Sequence, residues 1–94
     1  MQSDLELNWY IVLVKIDPNH TDDVVQQLRR LPKNPMPNIN LHHSYYVFGT
    51  WDVCIWFWCD NHENAMQFLQ KNVRNIPWVT ETYMMPTTTI KEYK

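Results

Sequence analysis

Residues 47–59 read VFGTWDVCIWFWC, and the pattern inside this stretch decides how the rest of the chain is organised. Gly49 is the only glycine in the 94 residues. Glycine reaches positive φ cheaply and allows backbone or ligand to approach closely. Between two strongly apolar runs it reads as a turn joining antiparallel strands, and Gly49 to Asp52 are a candidate wall of a small-molecule site. Beyond the turn, Val53, Ile55, Phe57 and Cys59 alternate with Asp52, Cys54, Trp56 and Trp58. Successive side chains of a strand point to opposite faces. The first set suits a face covered by helices. The second puts two tryptophans and a cysteine on the other face, too apolar for water, and so calls for a second sheet packed against it.

Working outward, residues 40–48 supply the partner strand, with Tyr45 and Val47 on one face and Ser44, Tyr46 and Phe48 on the other. Tyr46 is assigned to the interface face with Cys54, Trp56 and Trp58. Residues 8–16 (NWYIVLVKI) are β-branched, aromatic and almost continuously apolar, the signature of a central strand. Asp17-Pro18-Asn19 ends it, and Thr21 is placed to cap a helix whose first turn carries Asp22 and Asp23. Val24, Val25, Leu28 and Leu31 share one face of that helix, Pro32 stops it, and Pro35 and Pro37 mark an irregular loop. Downstream, Asn61 is a cap for a second helix with an inner face of Ala65, Phe68, Leu69, Val73 and Ile76, closed by Pro77. A last strand runs from near Val79 to about Tyr93, and Pro86 within it predicts an edge or a bulge.

The order is βαββαβ, and its halves echo each other: Leu28-Arg29-Arg30-Leu31-Pro32 ends one helix, Val73-Arg74-Asn75-Ile76-Pro77 the other. Two β-α-β halves predict an α+β ferredoxin-like fold, one antiparallel sheet with both helices on one face. The length sets a single domain over residues 1–94, with a core at about 8–92. The uncovered sheet face predicts a symmetric dimer.

Net charge is −2, and the eight basic residues do not cluster, which argues against direct nucleic-acid binding. The chain opens with Met1, shows no secretory leader and has no stretch able to span a membrane, so a cytoplasmic location is expected. Cys54 and Cys59 lie on opposite strand faces roughly 17 Å apart at about 3.3 Å per residue, too far for a disulfide. His42 and His43 are adjacent, so on a strand they point apart and cannot chelate one metal together. No Cys/His spacing matches zinc, and Met84-Met85 read as packing rather than soft-metal ligands. No metal or cofactor is expected. No nucleophile–base pair or phosphate loop stands out, which argues against an enzyme. Asp52 has two readings, a cap on the turn or a ligand contact.

Taken in order, four segments resemble the effector-binding (RAM) domain of the Lrp/AsnC regulators. They are Tyr10-Ile11-Val12-Leu13-Val14-Lys15-Ile16-Asp17-Pro18, Leu28-Arg29-Arg30-Leu31-Pro32, Phe48-Gly49-Thr50-Trp51-Asp52 and Ile76-Pro77-Trp78-Val79-Thr80-Glu81-Thr82. The resemblance implies a dimer whose two sheets face each other as an α/β barrel, association into larger rings, and an amino-acid effector. It nominates Gly49, Thr50, Trp51, Asp52, Thr80 and Thr82 as ligand-binding residues. The chain departs from the pattern at Trp78, where glycine is usual, at Met84, where a threonine is usual, and in its longer proline-rich 32–38 loop. Only seven residues precede the first strand, which implies a stand-alone form lacking the helix-turn-helix and partnering a DNA-binding homologue. Two other classes stay open: a dimeric α/β-barrel enzyme such as a cofactor-free monooxygenase, and a purely structural assembly domain.

Overall fold

The structure, a computed structural model, describes residues 8–94. The first seven residues, within the expected domain and ahead of its first strand, lie outside the described part. The elements are β1 (Trp9–Ile16), α1 (Thr21–Arg29), β2 (Ile39–Tyr46), β3 (Val53–Cys59), α2 (His62–Phe68) and β4 (Val79–Thr87). The strands form one antiparallel sheet in the order β2-β3-β1-β4, the ferredoxin-like arrangement, with β1 in the interior. The sheet is open, with β2 and β4 as its edges, so a single chain closes no barrel.

Burial alternates residue by residue along β1 and β3. Tyr10, Val12, Val14 and Ile16 join Val53, Ile55, Phe57 and Cys59 beneath the helices. They meet Val24, Val25 and Leu28 from α1 and Ala65, Phe68, Leu69 and Val73 from the second helical segment. Phe57 sits among aromatic rings, 5.5 Å from Tyr10 and 4.9 Å from Phe68 between centroids. Burial of side chains this large stabilises by about 1.5–3 kcal/mol each. After α2 the chain widens into a π-helical turn, Leu69–Val73, closed by the Arg74 N–H on the Leu69 carbonyl at 2.8 Å.

Asn61 caps α2, its side chain accepting from the Asn64 N–H at 2.8 Å. Thr21 does not cap α1. Pro18, whose fixed φ favours a first helical position, starts a 3-10 turn over Pro18–His20, and the Asp17 carboxylate accepts from the Asn19 N–H at 3.0 Å. The cap has moved upstream, and Thr21 is the first residue of α1. β4 ends at Thr87 rather than near Tyr93. Pro86 lies opposite Tyr10, on a strand with a neighbour on one side only, where a missing N–H breaks no second ladder.

One turn is used twice. The Ile39 N–H reaches the Met36 carbonyl at 3.2 Å, and the Val79 N–H reaches the Ile76 carbonyl at 3.3 Å. Proline holds the second position in each, and the third, Asn38 or Trp78, has positive φ, the pattern of a type II turn. The two halves therefore correspond through Pro37 and Pro77, whereas the helix-end echo pairs Pro32 with Pro77. The offset of five residues between Pro32 and Pro37 is extra loop in the first half.

A β-bulge in β2 overturns two expectations. Leu41 lies opposite Phe57 and His43 opposite Trp56, which leaves His42 as the additional residue. Tyr46 then pairs with Val53, on the helix-bearing side, while Tyr45 pairs with Cys54 on the open face. Tyr46 is thus not on the face of Cys54, Trp56 and Trp58; Tyr45 takes that place. The two histidines do not point apart either. The His42 ring lies 4.6 Å from Trp9 and 5.6 Å from Trp56, and His43 lies 5.8 Å from Trp56, all between centroids. Cys54 is half-buried on the open face and Cys59 is buried under the helices, on opposite sides of the sheet as their spacing requires.

Candidate functional site

The turn before β3 is built around backbone geometry. Gly49 has φ 127°, and a Cβ placed there would meet nothing within 4 Å. Conformation, not a close neighbour, is what requires glycine here. Asp52 is tied down three ways. Its carboxylate accepts from the Ile16 N–H at 2.8 Å, its own N–H donates to the Val14 carbonyl at 2.9 Å, and its carbonyl accepts from the Val47 N–H at 3.0 Å. The carboxylate continues the strand ladder past the end of β3. Trp51 leaves this turn and lies nearly parallel to Tyr83 of β4, with centroids 6.4 Å apart and an interplanar angle of 21°. Thr50 is exposed.

Thr80 and Thr82 reach the same end of β1 from its other side. The Thr80 hydroxyl donates to the Lys15 carbonyl at 3.1 Å, and Thr82 pairs with Val14. Both line a hollow of about 360 Å³ together with Leu69, Arg74, Val79 and Glu81. That volume falls within the roughly 300–1,000 Å³ usual for ligand clefts. None of residues 49–52 is among its walls. The six nominated residues therefore fall into two groups flanking β1, the turn on its β3 side and the threonines on its β4 side. Arg74 and Glu81, absent from the sequence-based set, are also among its walls, and Glu81 stands opposite Lys15, so its side chain leaves on the sheet face away from Val14 and Thr82. Their signal in the sequence is positional: Arg74 ends the second helical segment, and Glu81 stands between the threonines.

A smaller hollow of about 240 Å³ lies between α1 and β2, walled by Val25, Leu28, Arg29, Ser44, Tyr45, Tyr46 and Val53. The open sheet face carries a third feature, a cluster in which Trp9 and Trp56 stack at 4.6 Å with His42 and His43 beside them. Burial pushes the Cys54 thiol above its ordinary range. Burial does the same for Cys59, with the Asp60 charge adding to it, and for Tyr10, with Cys59 adding to it. A raised thiol keeps its proton at neutral pH and is a poor nucleophile. Among the described residues, no three His, Cys, Asp or Glu side chains gather closely enough to hold a metal ion, and no helix is long and apolar enough to cross a membrane.

No protein-family model matches this sequence, and no curated protein does. Solved structures share its fold. FFRP-DM1 is 20% identical with a TM-score of 0.66, over 85% of this chain and 97% of that one. AsnC of E. coli is 11% identical with a TM-score of 0.75, over 100% of this chain and 63% of AsnC. PF0864 of Pyrococcus furiosus, a transcriptional regulatory protein of the AsnC family, is 17% identical with a TM-score of 0.60, over 98% of this chain and 62% of that protein. The chain thus has the fold found in Lrp/AsnC-type regulators, the family its sequence resembles, and spans less than two thirds of AsnC and PF0864. At these identities the likeness is one of fold.

Proposed function

We propose that this chain is a regulatory domain of the Lrp/AsnC type that binds an amino-acid effector and assembles with copies of itself. The observation that carries the reading is the superposition of the whole chain on part of AsnC with a TM-score of 0.75. In this reading the open sheet face is the dimer interface. Cys54, Trp56 and Trp58 are half-buried there, beside Trp9 and Ile11 of β1. Two such faces packed together bury this apolar surface and complete an α/β barrel that one chain cannot form. Dimers associate further into rings, and regulation of transcription passes through a DNA-binding homologue, since the charge pattern suits no direct contact with DNA.

Effector contact is assigned to Thr80 and Thr82, with Gly49, Thr50, Trp51 and Asp52 shaping the adjacent end of the sheet. The enzyme alternative needs polar groups between sheet and helices. Val53, Ile55 and Phe57 are packed core at those positions, which favours the binding domain. Native mass spectrometry of the purified protein tests the reading. An even-numbered assembly that retains the mass of an amino acid is expected, and a monomer without ligand overturns it.

A further inference from the structure

We infer that the hollow between α1 and β2 is a second binding site, one that takes a small carboxylic acid with an apolar body and no amino group. It lies apart from the residues assigned to the effector and does not depend on that reading. Val25 and Leu28 of α1 and Val53 of β3 supply apolar walls, and Arg29, Ser44 and Tyr46 supply the polar ones. The bulge at His42 is what brings the hydroxyls here. Ser44 pairs with Ile55 and Tyr46 with Val53, both buried beneath the helices, so the two side chains leave on that side of the sheet. Tyr45 pairs with Cys54 on the open face, so it borders the hollow through its main chain. Tyr46 is nevertheless 54% exposed. The helices therefore stop short of this end of β2, and about 240 Å³ is left between strand and helix.

The walls specify the chemistry. Arg29 lies four residues after Val25, on the same flank of α1. The one ion pair among the described residues joins His20 to Asp23, so Arg29 has no carboxylate partner among them. Its planar fork matches a carboxylate. The Ser44 and Tyr46 hydroxyls alternate along one strand face, and each has a proton to donate to an anionic oxygen. No Asp or Glu stands among the walls, so an ammonium group finds no opposite charge in the hollow and would set its own beside Arg29. That separates this site from one built for an α-amino acid. Val25, Leu28 and Val53 leave only apolar surface for the rest of the molecule. The volume lies below the roughly 300–1,000 Å³ usual for ligand clefts, which limits the occupant to a single ring or a short chain.

Phenylacetate is the probe, with phenylacetamide as its uncharged form and phenylglycine as the same acid carrying an amino group. Titrations of the full chain, followed by amide proton–nitrogen correlation spectra, are expected to shift Val25, Leu28, Arg29, Ser44 and Tyr46. Phenylacetate is expected to bind tightest of the three. Arg29→Gln is expected to weaken phenylacetate about tenfold or more and to leave the weaker binding of phenylacetamide unchanged. Ser44→Ala is expected to weaken phenylacetate by a smaller factor. Arg29 and Ser44 are both exposed, and circular dichroism checks that the variants stay folded. Wild-type affinity for phenylacetate in Arg29→Gln overturns the proposal, and so does phenylglycine binding as tightly as phenylacetate. Shifts confined to residues 49–52 and 80–82, or none at millimolar phenylacetate, overturn it as well. The amino-acid reading keeps its own test and stands or falls separately.

Discussion

Asn38 and Trp78 hold the same position in two copies of one turn, with φ of 69° and 71°. Asparagine tolerates the left-handed region, but a bulky residue there is strained by about 1–2 kcal/mol. Trp78 stays because of what it touches. Its indole lies parallel to the His20 ring with centroids 3.9 Å apart, and its carbonyl accepts from the Asp17 N–H at 3.0 Å. The turn is thereby stapled to the start of α1. Trp78→Ala loses the stack and keeps the strain, whereas Trp78→Gly loses the stack and relieves the strain. The glycine variant is expected to be more stable than the alanine variant by about 1 kcal/mol in urea unfolding. The opposite ranking would contradict the left-handed conformation.

Asp52 is expected to matter for stability whether or not a ligand binds. Asp52→Ala leaves the Ile16 N–H without its acceptor and costs about 1.5–3 kcal/mol, the range for hydrogen bonds to charged groups. Asp52→Asn keeps an acceptor oxygen and costs less. Urea midpoints of the two variants check the order, and an alanine variant as stable as the wild type rules out the cap.

The faces assigned by the bulge are open to test by light scattering. Trp56→Glu and Tyr45→Glu each place a carboxylate in the proposed sheet-to-sheet interface, where an unpaired charge costs several kcal/mol. Both are expected to yield monomers. Tyr46→Glu, on the helix-bearing side, is expected to leave the assembly intact. Dissociation by Tyr46→Glu alone would place the interface elsewhere.

Alkaline pH is expected to weaken the fold. Tyr10, Cys54 and Cys59 all have their pKa values raised, first by burial, so the folded state holds these protons more tightly than the unfolded chain does. The stability this contributes is complete below the unfolded thiol value, roughly pH 8.5, and is lost as pH rises through the higher folded values. Melting temperatures followed from pH 7 upward should be level at first and then fall. A rise above pH 9 would contradict the sign.

How much of this was legible in the sequence follows from the range of each signal. β1 and β3 were readable because a two-residue period is local, and Val53, Ile55, Phe57 and Cys59 fall inward as the alternation requires. The helix faces and the Asn61 cap were readable for the same reason. The bulge was not: a pair of histidines carries no preference for one, and only the register against Trp56 and Phe57 reveals it. Asp52 supports two readings in sequence because the Ile16 N–H that its carboxylate accepts from is 36 residues away along the chain. Arg74 is not legible as a neighbour of Thr80 and Thr82, because only the tertiary fold brings the end of the second helical segment beside β4.

The bulge at His42 means that strand pairing, as well as residue identity, determines what the open face displays. Ile39 and Leu41 face the core in one phase of the strand, and everything after His42 runs in the other. In a regular strand of the same sequence and the same register up to Leu41, Ser44 and Tyr46 would face outward and His43 and Tyr45 inward, whereas loss of His42 alone would keep the present directions. In that regular strand the surface offered to another subunit would exchange His43 and Tyr45 for Ser44 and Tyr46 with no change in composition. The bulge thus absorbs one residue as a frameshift in side-chain direction, and a relative lacking His42 would present the same recognition surface from a regular strand.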